Sequence, residues 1–299
     1  MRLEPMGGGL AVRVDGVRLE DGLDDGDFAR LDEAWVEHYC LVFPDQQGLS
    51  IDAHVALLEH FGPVLEERLP GDKHSFVTNA AGFGVDEMNE GYLWGELTAH
   101  MDFTYTRFPA DVISLHAQEL PVGGTSTLFY SNVDPLDRMP PELRDELRGY
   151  SIRCVHDPKR MPPDARPYLD PRACEGEWIQ VHDWPLIRKH PLRPGLEVLY
   201  CNLQQTAEIL GVPSWGASQG LLERLFFEYL YTPENRHEHQ WALGDLVLWD
   251  NCAIQHARQE IDRSGGARVL RRVSVCEAGN GVEETVSFLN LHSTAGAFS

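Results

Sequence analysis

Six segments between residues 111 and 277, DVISLHAQEL, STLFYS, EVLYCNL, HEHQWAL, DLVLWDN and VLRRVSVCE, are short and rich in branched and aromatic side chains. Such side chains suit a pleated, half-buried surface, so each segment predicts a strand. Two helical patterns interrupt them. PPELRDELRGY opens on prolines suited to a first turn, and GLLERLFFEYL is apolar at 221, 222, 225, 226 and 229. Many short strands with few helices argue for a mainly β fold, a sandwich or barrel with flanking helices, rather than a parallel doubly wound sheet.

The N-terminal part supplies the flanking elements. AVRVDGV (11–17) alternates like a strand, Phe28, Leu31, Trp35 and His38 recur at near-helical spacing, and CLVFP follows as a second strand. The acidic run DGLDDGDF (21–28) reads as the entry to that helix. Ser50 reads as the N-cap of IDAHVALLEHF, whose stripe of Val55, Leu58 and Phe61 is stopped by Gly62 and Pro63. Residues 65–98 lack periodicity apart from a short SFVTN strand, and 157–188 carry five prolines between 158 and 171. Both predict lid-like insertions in a single domain over 1–299, because strand-like segments resume on either side.

Lys and Arg total 25 against 47 acidic residues, a formal charge of -22, which repels a phosphate backbone and argues against a nucleic-acid partner. No apolar run approaches the roughly 20 residues of a membrane span. The six cysteines, at 40, 154, 174, 201, 252 and 276, include no C-x-x-C pair, and no charged leader precedes a long apolar stretch. Free thiols in a reducing cytoplasm are the expectation. Nothing in the sequence fixes homo-oligomerisation.

TAHMDFTY (98–105) places His100 and Asp102 two residues apart, a spacing that would put both on one face of a strand. Alone, among 13 histidines and 47 acidic residues, the pair carries little. DLVLWDNCAIQHARQEID adds His256 beyond a strand and turn. Two histidines and one carboxylate on three vertices of an octahedron leave the opposite face open, as a non-haem iron(II) site requires. In ARVLRRVSV, Arg268 and Arg272 share one face while Arg271 points the other way. Inward arginines need anionic partners, and a dicarboxylate would supply one. His237 and His239, in HEHQW, read as a solvated strand face rather than a zinc pair, and His116 as a satisfied core histidine.

HMD, the ELPVGGTSTLF segment after it, W-x-x-GD-L-V-x-W-D-N followed by Q-H, and the R-x-x-x-R strand together resemble the taurine dioxygenase/TfdA family of iron(II)- and 2-oxoglutarate-dependent dioxygenases, over nearly the whole chain. The resemblance implies a double-stranded β-helix (jelly-roll) core, iron held by His100, Asp102 and His256, and Thr127 and Arg268 on the distal carboxylate of 2-oxoglutarate. It further implies O2 as cosubstrate and oxidation, in the first place hydroxylation, of a small molecule with release of succinate and CO2. A carboxylate at 102, where related halogenases have a small residue, fits that outcome. Ala99 departs from the tryptophan common in the family before the first histidine; Trp94 lies five residues earlier. An anionic or amino-acid-like substrate is expected, with Arg272 reading its anion and Glu96, four residues before His100, its amino group. The alternatives are a catalytically silent jelly-roll that binds metal or an organic acid, and a zinc hydrolase, in which the arginine pair has no natural role.

Overall fold

The computed structural model describes residues 1–66, 71–83, 90–156 and 180–276. The strands run β1 (Arg2–Met6), β2 (Ala11–Asp15), β3 (Cys40–Phe43), β4 (Ser75–Thr78), β5 (Leu97–His100) and β6 (Val112–Glu119). They continue as β7 (Ser126–Ser131), β8 (Ser151–His156), β9 (Gln180–Pro185), β10 (Ile187–Lys189) and β11 (Glu197–Leu199). The last are β12 (Thr206–Leu210), β13 (Arg236–Gln240), β14 (Leu246–Asp250), β15 (Ile254–Arg258) and β16 (Val269–Val275). Helices are α1 (Asp25–His38), α2 (Ile51–Glu59), α3 (Glu90–Leu93), α4 (Asp134–Arg138), α5 (Pro141–Leu147) and α6 (Trp215–Arg224).

A seven-stranded sheet, β1-β2-β3-β14-β6-β16-β4, faces a four-stranded sheet, β13-β7-β15-β5. Alternation along the strands divides the core. Val42, Val247, Trp249, Ile113, Leu115 and Leu270 of the larger sheet meet Phe129, Trp241 and Ile254 between the sheets. The opposite residues, Leu41, Phe43, Leu246, Leu248, Val273 and Val275, pack under Leu31 and Trp35 of α1 and Leu57 and Leu58 of α2. Each such large apolar side chain stabilises the fold by about 1.5–3 kcal/mol on burial. A third cluster joins α4, α5 and α6 to the β12-β8-β9 sheet through Leu136, Leu143, Ile152, Cys154, Ile209 and Leu222.

The helix signals read in the sequence act as expected. Asp24 caps α1 by accepting from Asp27 N at 2.8 Å, and Ser50 caps α2 by accepting from Ala53 N at 3.1 Å. The irregular stretch expected at 65–98 contains β4, α3 and the start of β5. Of the second, 157–179 lies outside the described residues, and 180–188 is not irregular: it forms β9 and the start of β10. The reading of HEH as a solvated face is also overturned, since His237 and His239 are buried, with Glu238 between them pointing outward. A β-carbon at Gly7, which adopts positive φ, would collide with the His237 ring, so a glycine is needed there. No described helix is long and apolar enough to cross a membrane. The five described cysteines are free and buried.

Candidate active site

Antiparallel pairing sets His256 of β15 opposite His100 of β5 on one side and Phe129 of β7 on the other. The three side chains form one cross-strand row between the sheets, with the two imidazole centroids 4.2 Å apart. Asp102 arrives differently. β5 ends at His100, so the two residues do not share a strand face as expected: Asp102 lies in a turn, and Phe103 after it has φ 63°. That left-handed backbone is costly for an aromatic residue and persists only where surrounding contacts impose it. Asn251 imposes it. Its Oδ1 accepts from Asp102 N at 2.9 Å, and its Nδ2 donates to the carbonyls of Asp102 at 3.1 Å and Ala110 at 2.8 Å. The turn returns the carboxylate to the histidines, with Asp102 Oδ1 3.4 Å from His100 Nε2 and 3.9 Å from His256 Nε2. One donor atom from each residue lies within 4.8 Å of the others, a cluster that could hold a metal ion.

The protonation states suit a cation. His100 Nδ1 lies 2.8 Å from the Thr98 carbonyl, which can only accept, so the proton sits on Nδ1 and the Nε2 lone pair is free. Burial, and then the neighbouring His100, push His256 down to about 3, leaving it neutral. Burial opposes ionisation of Asp102, yet the Arg272 guanidinium outweighs it and holds the carboxyl well below the usual carboxylate range. Two imidazoles and one carboxylate are a donor set suited to a divalent ion with an open coordination face.

Beyond His256 on the same inner face lies a cationic pocket. Thr127 sits inside β7 opposite Arg258, as the strand reading of STLFYS expects, and its hydroxyl oxygen accepts from Trp241 Nε1 at 2.9 Å. The hydroxyl proton therefore remains for another acceptor. Arg268, at the entry of β16, is 1% exposed, and its Nε and Nη1 have no hydrogen-bond partner among the described residues. Burial, and then the Arg258 charge, lower its proton affinity to about 9. A guanidinium in that position fits an absent anion.

Arg272 shares the inner face with Leu115 and Leu270, while Arg271 points the other way, into Leu49 O, Ser50 O and His54 Nδ1. Arg272 Nη2 lies 3.1 Å from Asp102 Oδ2, and the Phe103 ring lies 5.4 Å from its guanidinium carbon. The sequence-selected residues His100, Asp102, His256, Thr127, Arg268 and Arg272 are thus gathered between the sheets. Glu96 is not: it is exposed, in the segment just before β5. Sequence reasoning missed Asn251, Trp241 and Arg258. Arg258 carried a usable signal, since a residue two beyond an inward His256 on a strand faces inward as well.

Residues 2–274 match the profile described as taurine catabolism dioxygenase TauD, TfdA family. The chain belongs to the TauD/TfdA family. As a TauD/TfdA protein it is an alpha-ketoglutarate-dependent (2-oxoglutarate-dependent) dioxygenase, an oxidoreductase that uses Fe(II), 2-oxoglutarate and O2. Among its relatives, the (S)-phenoxypropionate/alpha-ketoglutarate-dioxygenase of Delftia acidovorans is 26% identical, over 88% of this chain and 90% of that one. The pentalenolactone F synthase of Streptomyces avermitilis is also 26% identical, over 89% and 91%. The alpha-ketoglutarate-dependent sulfate ester dioxygenase of Pseudomonas putida is 24% identical, over 91% and 88%. A crystal structure of a taurine dioxygenase from Burkholderia xenovorans superposes with a TM-score of 0.71 at 23% identity, covering 92% of this chain and 90% of that one. The shared fold makes the two facing sheets the jelly-roll core expected of a TauD/TfdA dioxygenase.

Proposed function

We propose that this dioxygenase hydroxylates a small anionic or amino-acid-like molecule, with release of succinate and CO2. In this reading His100, Asp102 and His256 hold the iron, Thr127 and Arg268 hold the distal carboxylate of 2-oxoglutarate, and Arg272 faces the substrate anion. The observation that carries it is the enclosed Arg268 guanidinium, two of whose nitrogens lack a partner among the described residues, in the space between the sheets that also holds the metal-binding cluster. An unpaired buried guanidinium costs several kcal/mol, and a carboxylate relieves that cost through charge-assisted hydrogen bonds. A zinc hydrolase has no such need for a dicarboxylate, and a silent jelly-roll that binds an organic acid would release no succinate.

The iron, when bound, supplies oxygen activation and removal of a hydrogen atom from the substrate. The protein's share is positional. His100 is oriented through Thr98, Asp102 through Asn251, and Thr127 through Trp241, so the donors are set before ligands arrive. Phe103 and Tyr105, just after Asp102, pack edge to face. Phenoxypropionate and sulfate esters, for which two relatives are named, are anions, in keeping with a cation at the substrate side. Glu96, exposed before β5, has no part in this arrangement.

The test is a panel of organic acids, amino acids, sulfate esters and neutral hydrocarbons supplied with Fe(II), 2-oxoglutarate and O2, scored by succinate formed and hydroxylated product. Acidic or amino-acid-like compounds are expected to stimulate succinate release. Turnover confined to neutral hydrocarbons would overturn the substrate class, and succinate release undiminished in His256→Ala would overturn the metal assignment.

A further inference from the structure

The cationic pocket holds more positive charge than its assigned residues supply. Arg258 is 5% exposed, has no carboxylate partner among the described residues, and stands two residues beyond His256 on the inner face. Its Nη2 donates to the carbonyls of Tyr92 at 2.9 Å and Gly95 at 2.6 Å, at the end of α3, whereas its Nε has no partner among the described residues. Across the strand pair it is the direct neighbour of Thr127, and its charge reaches Arg268. Two guanidiniums buried near each other without a carboxylate repel and are poorly solvated; carbonyls satisfy hydrogens but do not neutralise charge.

We propose that Arg258 is a second guanidinium of the site for the distal carboxylate of 2-oxoglutarate, shared between that carboxylate and the Tyr92 and Gly95 carbonyls. The inference rests on the placement of 2-oxoglutarate at Thr127 and Arg268. One carboxylate offers about four lone-pair positions, and buried donors without an acceptor among the described residues include Arg258 Nε and Arg268 Nε and Nη1, with the Thr127 hydroxyl proton beside them. The same side chain then links the cosubstrate site to the segment just before the first metal-binding histidine. Ile261 N donates to Trp94 O at 2.8 Å, and Arg263 pairs with Glu90 at 3.0 Å, fastening that segment to the chain that follows Arg258.

The experiment uses the full chain loaded with Mn(II), and measures binding of 2-oxoglutarate and of 2-oxobutyrate, which lacks the distal carboxylate, by calorimetry. Arg258→Gln is expected to weaken 2-oxoglutarate binding by about tenfold or more while changing 2-oxobutyrate binding less than about twofold, since only the first ligand carries the group addressed. Arg258→Lys, which keeps the charge and loses the fork, should fall between wild type and Arg258→Gln for 2-oxoglutarate and serves alone if the glutamine variant does not fold. Equal weakening for both acids would make Arg258 a structural strut, and no weakening for either would remove it from the site. Both results overturn the proposal. Failure of the wild type to prefer 2-oxoglutarate over 2-oxobutyrate would instead overturn the underlying placement of the cosubstrate.

Discussion

Arg272 Nη2 stands 3.1 Å from Asp102 Oδ2, while both imidazoles approach the other carboxylate oxygen, Oδ1. The two oxygens are therefore unequal before any metal arrives. Oδ1 is offered to the cation and Oδ2 is occupied, which favours one-oxygen ligation and keeps the remaining coordination positions clear.

Arg272→Ala removes the counter-charge of a nearly enclosed carboxylate. It is expected to weaken Mn(II) binding by about tenfold and to raise KM for acidic substrates more than for neutral ones, since loss of one partner of a buried charge pair costs about 2–5 kcal/mol. Calorimetric metal titration and steady-state kinetics across the panel measure the two effects separately. Unaltered metal affinity would show that the ion pair does not set the ligand.

His256→Ala should abolish the weak visible absorption that forms when Fe(II) and 2-oxoglutarate are added to the wild type without oxygen. Two of three donors remain in the variant, too few to retain the ion against buffer. A band of full intensity would remove His256 from the metal site.

Arg268→Ala should raise the 2-oxoglutarate requirement by the equivalent of about 2–5 kcal/mol, with a much smaller change for the substrate, and Arg268→Lys should recover only part. Trp241→Phe leaves the Thr127 hydroxyl without its donor at 2.9 Å and frees it to rotate. A rise in KM for 2-oxoglutarate worth about 1 kcal/mol is expected there, with folding retained. Equal effects on KM for cosubstrate and substrate in Arg268→Ala would place the carboxylate elsewhere.

Stability should decline in mild acid for a reason remote from the metal. Burial lowers His116 and His237 from their ordinary value of 6.5 to about 4, and His54 well below it. Below pH 6.5 the unfolded chain takes up protons that the folded chain refuses, so each histidine removes about 1.4 kcal/mol of stability per pH unit between roughly 6.5 and 4. Urea midpoints measured from pH 7 to 5 should fall, and His116→Gln should flatten the slope. A pH-independent midpoint across that interval would contradict the burial of these rings.

The β succession, both capped helices and six of the residues now gathered between the sheets were legible because they rest on local periodicity and motif spacing. What escaped depends on contacts distant in sequence. The turn at Asp102 is imposed by Asn251, so strand alternation extended past His100 gave the right ligand by the wrong geometry. β9 lies just past a proline-rich run that masks its alternation. Glu96 was placed by proximity in sequence, but nearness to His100 along the chain says nothing about which sheet face a side chain takes outside the strand.

Asn251 has a consequence for how the centre comes into being. It bridges the backbone of Asp102 and Ala110 across 149 and 141 residues of sequence, and His256 follows five positions later on the strand it helps to launch. Docking of the turn between β14 and β15, which lie in different sheets, onto the 102–110 segment brings His256 to His100 and Asp102 in the same event. The loop-closure entropy of uniting donors far apart in sequence is spent during folding. The ion therefore meets three donors already gathered within 4.8 Å of one another, at high effective concentration.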